Sequence, residues 1–124
     1  MTNSKTTIRQ MCEDFNVTPR TLRFYEQKEL LSPQRDGQRR LYSRSDRARL
    51  KLILRGKRFG FSLEEIRNLL DMYHMDNGPE TQLAETYDLA LKHLGEMEAQ
   101  RKALDEAIEE LKRQIAWGAE KLAA

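Results

Sequence analysis

Three clusters of cationic side chains in the first half of the chain hold the chemistry this sequence can do. The first is Thr18-Pro19-Arg20-Thr21-Leu22-Arg23, with Tyr25 just beyond it. The second is Arg39-Arg40-Leu41-Tyr42, and the third is Arg55-Gly56-Lys57-Arg58. Guanidinium and ammonium groups interleaved with hydroxyls suit a polyphosphate surface, where each neutralised phosphate releases condensed counterions. Residues 1–62 hold 15 Lys and Arg against 6 Asp and Glu, a net of +9, and residues 63–124 hold 7 against 14, a net of −7. The whole-chain charge of +2 hides this division. A basic front with an acidic back signals two jobs on one chain. Any one cluster reads equally well as a solvated charged face; three in one module move the reading to nucleic-acid binding.

Catalytic constellations are missing. His74 and His93 have no nucleophile beside them, and neither a Gly-rich phosphate loop nor a zinc-ligand spacing occurs. The chain is therefore expected to be no enzyme and to carry no cofactor and no metal. Asp71, His74 and Asp76 read as capping and solvated groups at a helix end rather than as a metal cluster. Cys12, the single cysteine, allows no internal disulfide and suits a reducing cytoplasm. Its apolar neighbours should raise the thiol pKa rather than activate it. With a mean hydropathy of −0.80, no run approaches the ~20 apolar residues that crossing a bilayer needs. Met1 to Thr7 lacks the apolar stretch of a signal peptide. A cytoplasmic location without a membrane partner is the expectation.

The elements that must position the clusters are short and helical. Residues 1–6 read as a disordered start. Ile8, Met11, Cys12 and Phe15 have helical spacing, and Asn16-Val17 interrupts it. Thr18 is a good N-cap and Pro19 belongs at the first helical position, so a second helix carries Leu22 and Tyr25 inward to about Lys28. Two short helices around a tight turn make a helix-turn-helix, whose second helix enters a major groove. On that helix Arg20 is the candidate base reader, because Arg suits guanine O6 and N7. Arg23 is the phosphate clamp, and the hydroxyls of Thr18 and Thr21 can also reach phosphate. Asp36-Gly37 marks a hairpin turn whose returning strand, Arg39 to Tyr42, makes a basic wing with the Tyr42 hydroxyl on phosphate. Ser43 with Asp46 and Ser62 with Glu65 are capping boxes that open two further helices. Arg55, Lys57 and Arg58 end the first of these and are expected to form a second wing of the same kind. Asp76-Asn77-Gly78-Pro79 stops the second helix.

Beyond Pro79 the apolar positions step by four and three without a slip. They are Leu83, Tyr87, Ala90, Leu94, Met97, Arg101, Leu104, Ile108, Leu111, Ile115, Gly118 and Leu122. This heptad seam reads as a coiled coil with a second copy, since a helix ~60 Å long cannot lie back on so small a head. A lone amphipathic helix is the alternative. Arg101 sits at an a position near the midpoint, where an antiparallel pair meets its own twofold mate. Either Glu98 and Asp105 satisfy it, or its guanidinium snorkels out of the seam. Gly118 predicts fraying or a kink beyond Ile115.

Several stretches then resemble the MerR family of bacterial transcription regulators: Val17-Thr18-Pro19-Arg20-Thr21-Leu22-Arg23-Phe24-Tyr25-Glu26, Gly37-Gln38-Arg39-Arg40-Leu41-Tyr42-Ser43 and Gly60-Phe61-Ser62-Leu63-Glu64-Glu65-Ile66. Order and spacing agree across residues 6–72. The resemblance implies a winged helix-turn-helix, an antiparallel coiled-coil dimer, and a pseudo-palindromic operator in a promoter with an overlong spacer. It also implies activation by bending and untwisting that spacer for RNA polymerase. The position before Tyr25 is usually Tyr in the family and is Phe24 here, which removes one hydroxyl contact. Arg55 to Ser62 and Asp36 to Arg40 look like a subgroup that controls leucine, isovalerate and related acyl-CoA catabolism. Neither the cysteines that metal-sensing members carry beside the end of the coil nor a large C-terminal multidrug-sensing domain occurs in the sequence, so no effector is implied.

The expected fold is mostly α. Residues 7–75 form a winged helix-turn-helix DNA-binding domain, 76–80 a linker, and 81–122 a dimerising coiled-coil helix. The expected function is a homodimeric, sequence-specific DNA-binding transcription regulator. A coiled-coil interaction protein whose basic half binds an acidic protein partner is the alternative.

Overall fold

The computed structural model describes residues 5–73 and 77–124. Residues 1–4 of the disordered start expected at 1–6, and the residues His74 and Asp76 of the capping cluster, lie outside the described residues. In chain order the elements are β1 (Thr6–Thr7), α1 (Ile8–Phe15), α2 (Pro19–Gln27), β2 (Gln34–Asp36), β3 (Arg39–Tyr42), α3 (Arg44–Arg58), α4 (Leu63–Met72) and α5 (Gly78–Ala123). The chain divides into two units, Met1–Glu85 and Thr86–Ala124.

Local chemistry sets most of the boundaries in the first unit. Asn16 ends α1 in the left-handed region at φ 55°, which Asn tolerates better than most residues, and its N–H returns to the Cys12 carbonyl. Thr18 then caps α2 by accepting from the Thr21 N–H at 3.2 Å, and Pro19 fills the first helical position. Ser43 and Asp46 close a reciprocal capping box on α3, as Ser62 and Glu65 do on α4. The Asp46 carboxylate is buried and also accepts from the Ser32 N–H at 3.2 Å, so the cap of α3 holds the segment before the hairpin.

The hairpin is larger than the sequence suggests. The sheet has three antiparallel strands in the order β1-β3-β2. Thr6 pairs with Tyr42 and Thr7 with Leu41. Thr6 therefore does not belong to a disordered start. Two residues are too few to show a strand period, and the pairing partner lies more than thirty residues away. Thr7 then caps α1, accepting from the Gln10 N–H.

The core of this unit gathers Met11, Leu22, Leu30, Leu31, Tyr42, Leu50, Ile53 and Ile66, each nearly inaccessible to solvent. Leu30 and Leu31 lie outside any regular element and are still core. Gly56 lets α3 approach α4: a Cβ there would stand 3.0 Å from Ile66 Cγ1 and 3.2 Å from Phe61 Cδ2. Gly78 is buried, and a Cβ there would collide with the backbone carbonyls of Met72 and Tyr73. Only glycine allows α5 to start against the end of α4. The helix expected from Thr81 thus starts at Gly78, with Pro79 in its first turn. Gln82 Nε2 donates to the Leu69 carbonyl at 2.7 Å.

In the second unit α5 continues as α-helix to Ala123, through Gly95 and Gly118. The helical assignment does not break off at Ile115, where the sequence predicts fraying or a kink. Leu94, Met97, Leu104, Ile108, Leu111 and Ile115 are all exposed in the single chain, and so is Arg101. Neither Glu98 nor Asp105 forms an ion pair with Arg101 among the described residues.

Candidate nucleic-acid interface

The three basic clusters separate into free and committed charges. Arg20, Arg23, Arg39, Arg55, Lys57 and Arg58 are exposed and form no ion pair among the described residues. They stand on the outward side of α2, at the start of β3 and on the last turn of α3. Thr18 is exposed and shares its hydroxyl with Thr21 Oγ1 at 3.0 Å as well as with the cap. The N-terminus of α2 thus presents the hydroxyls of Thr18 and Thr21 and the guanidiniums of Arg20 and Arg23 together, at the positive end of the helix dipole, an arrangement that favours anions.

Arg40 is different. Its Nε donates to Glu26 Oε1 at 2.6 Å, and Arg35 Nη2 donates to Glu26 Oε2 at 3.2 Å. One carboxylate on α2 therefore holds both strands of the hairpin. Burial raises the Glu26 carboxyl, but the hydrogen bonds and charges of Arg40 and Arg35 outweigh it and hold the group below its usual range. Glu26 fixes the angle between helix and wing, a role that the sequence reading did not give it. The signal was faint: one acid among arginines, with partners nine and fourteen residues on.

Three further cations act inside the fold. Arg47 Nη1 donates to Asp14 Oδ2 at 2.9 Å, and the guanidinium lies 5.1 Å from the centre of the Phe15 ring. Arg49 Nε donates to the Leu30 carbonyl at 2.8 Å, and Arg67 Nη2 donates to the Lys28 carbonyl. These last two cap the chain as it leaves α2. Two cations of the basic first half, Arg47 and Arg49, are thus committed within the fold.

Two tyrosines move out of the contact set for different reasons. Tyr42 is fully buried, and its hydroxyl has no hydrogen-bond partner among the described residues, so it cannot lie on a phosphate. Position 42 is the buried end of β3, on the same side of the strand as Arg40, two residues before it. Burial, with Glu26 nearby, pushes its pKa up to about 12. Tyr25 is buried on the inward side of α2, as its spacing with Leu22 requires, and burial raises its pKa too. The third cluster is not on a second hairpin of the kind expected. Arg55, Lys57 and Arg58 lie on a helix, and a two-residue turn leads directly into the cap of α4. Cys12 is half-buried; burial raises its thiol pKa against the lowering effect of Arg23.

A cavity of about 310 Å³ opens in the first unit, lined by Ala48, Leu52, Leu70, Tyr73, Ser45, Arg49 and Gln82. Its walls are mostly apolar. No group of three or more His, Cys, Asp or Glu side chains could hold a metal ion among the described residues. No helix of the described residues is long and apolar enough to cross a membrane.

Comparison with known proteins agrees with this geometry. Residues 6–73 match the "MerR HTH family regulatory protein" family, and residues 47–114 match "MerR, DNA binding". ZntR, an HTH-type transcriptional regulator of Escherichia coli (strain K12), is 40% identical over 67 residues, which are 52% of this chain and 48% of ZntR. The chain therefore spans about half the length of that relative. HmrR of Rhizobium leguminosarum bv. viciae is 31% identical over 100 residues, 80% of this chain and 75% of HmrR. Among solved structures, HiNmlR, a MerR family regulator lacking the sensor domain and bound to promoter DNA, is 25% identical with a TM-score of 0.64. That likeness covers 80% of this chain and 76% of HiNmlR. These relatives are transcription regulators rather than enzymes. A match that runs through the whole basic head and on into α5 leaves one assignment: the chain belongs to the MerR family of helix-turn-helix regulatory proteins.

Proposed function

We propose that this chain is a sequence-specific regulator of transcription that binds duplex DNA as a homodimer. The observation that carries the reading is the set of exposed, unpaired cations on α2 and β3, Arg20, Arg23 and Arg39, on a fold whose relative HiNmlR is bound to promoter DNA. In this reading α2 enters the major groove with Arg20 on a base edge, while Arg23, Arg39 and the hydroxyls of Thr18 and Thr21 take phosphates. Arg55, Lys57 and Arg58 take flanking phosphates. Residues 7–75 are the DNA-binding domain. Residues 81–122 are the dimerisation helix, through an antiparallel coiled coil of Leu83, Tyr87, Leu94, Met97, Leu104, Ile108, Leu111 and Ile115 around Arg101.

The coil sets one distance between two α2 helices. If the half-sites of a pseudo-palindromic operator do not fit that distance, the duplex must bend or untwist, and its deformability enters the affinity. Such a change in the promoter acts on RNA polymerase in the cytoplasm. The genes of branched-chain amino-acid or acyl-CoA catabolism are the proposed targets on the resemblance of residues 55–62, and release by acyl-CoA esters is the corresponding screen.

Footprinting on DNA upstream of the neighbouring genes, followed by a salt titration, tests the reading. Phosphate binding gives a steep linear log–log slope. Arg20→Ala is expected to relax base preference at one position per half-site, a loss of about 1–3 kcal/mol there. Arg39→Ala is expected to weaken all sequences and to cut the salt slope by about one per head. Arg39 is the better probe than Arg40, whose guanidinium already holds Glu26. Binding that neither change alters overturns the proposal.

A further inference from the structure

Helix α2 turns Arg20, Arg23, Phe24, Gln27 and Lys28 to solvent. At about 100° per residue these positions share one face of the helix, with Arg20 near its centre. Four of the five are polar or charged and need no partner on a surface. Phe24 is the exception. It is 42% exposed, on a helix whose other large apolar side chains, Leu22 and Tyr25, are buried. The ring is also held in place. Tyr25 meets it edge-on, with ring centres 5.5 Å apart and planes at 63°. The Lys28 ammonium lies 5.6 Å from its centre on the next turn. A rigid apolar ring thus stands one helical turn beyond Arg20, among cations, without a hydroxyl to bond a phosphate or a base edge.

In the major groove the apolar group that a base pair presents is the thymine 5-methyl. We propose that Phe24 is a specificity-determining residue that packs on a thymine 5-methyl, one turn along α2 from the base read by Arg20. The inference rests on the DNA-binding reading above. Its physics is separate from that of the arginines. The phosphate contacts depend on salt and carry no sequence information. The ring contact removes apolar surface from water, depends little on salt, and distinguishes thymine from uracil, which differ by that methyl alone.

The experiment uses the full chain and an operator defined by footprinting. Each thymidine is replaced singly by deoxyuridine, which deletes only the 5-methyl, and affinity is read by fluorescence anisotropy. The wild type is expected to lose about fourfold at one position per half-site, the factor for exposing one methyl-sized apolar group. Phe24→Ala is expected to bind the native operator more weakly and to show no further loss at that position; Phe24→Leu is expected to retain the loss. Circular dichroism checks that the variants fold, and Phe24→Gln replaces Phe24→Ala if the latter does not. Wild-type indifference to every deoxyuridine overturns the inference. So does a methyl dependence that persists unchanged in Phe24→Ala or Phe24→Gln, since another side chain, such as Thr21, would then read the methyl. Wild-type protein that binds no duplex at all, measured before any substitution, overturns the DNA-binding reading itself.

Discussion

Tyr42 and Glu26 sit close to each other and do opposite things with their oxygens. The Tyr42 hydroxyl is buried without a partner among the described residues, so it gives the fold nothing that a phenyl ring would not. Tyr42→Phe is expected to leave DNA affinity unchanged and to hold or raise stability by ~1 kcal/mol at neutral pH, read by chemical denaturation. The pH dependence has a definite sign. A phenol whose folded pKa is about 12 binds its proton more tightly folded than unfolded, where the value is about 10. The native state therefore loses stability as pH rises through that window, and the Tyr42→Phe variant is expected to lose less. Glu26 works at the other end of the scale. Its folded pKa is depressed, so its contribution is present above the ordinary carboxylate range and fades as pH falls through the lowered value. Denaturation curves from pH 6 downwards should show wild type ahead of Glu26→Gln, with the gap closing below about pH 4. A gap that stays constant would mean that the carboxylate charge does not hold the wing.

At the scale of elements, capping chemistry is what the chain spells out most clearly. Thr18, Ser43 and Ser62 each do what their neighbours three residues on require of them, so the starts of α2, α3 and α4 could be read directly. Packing between elements is spelled less openly. Nothing in Arg55-Gly56-Lys57 marks Gly56 as the place where α3 meets Ile66 and Phe61, because a glycine among basic residues reads as a weak spot in a helix. Gly56→Val is expected to destabilise the head by about 1–3 kcal/mol, since the neighbours must shift to admit the extra carbons. A thermal melt within a degree or two of wild type would show that Ile66 can move aside. The hairpin gives the same lesson from the other side. Its turn was legible at Asp36-Gly37, but its third strand, β1, was not. A strand of two residues is made by its partner, not by its own pattern.

For the whole molecule, the division of charge and the seam belong together. The acidic helix α5 exposes Leu94, Met97, Leu104, Ile108, Leu111 and Ile115 in the single chain, a row far too apolar to stay wet. In the proposed dimer each of these is buried against a second copy. Leu104→Ala and Ile108→Ala are each expected to cost about 2–5 kcal/mol of dimer stability. Sedimentation or light scattering across a dilution series should then show dissociation at concentrations where wild type stays paired. An unchanged mass for both variants would favour a helix that buries its seam elsewhere. The acidic character of α5 also has a use in this setting, because a tail of the same sign as DNA does not compete with the head for the duplex.

What the amino-acid sequence determined alone is local: which residues cap, which face of α2 is apolar, where the hairpin turns, and the four-three rhythm that runs the length of α5. Each of these depends on neighbours within a turn or two, so linear order carries it. The tertiary structure decided which cations are free. Arg20, Arg23 and Arg39 read no differently in the sequence from Arg40, Arg47 and Arg49; only folding brings a carboxylate or a carbonyl to the latter three and leaves the former in solvent. It also turned Tyr42 into the core and left Phe24 outside it. Whether a charge or a ring can meet a partner depends on groups far away in the chain, and their approach is a property of the packed molecule.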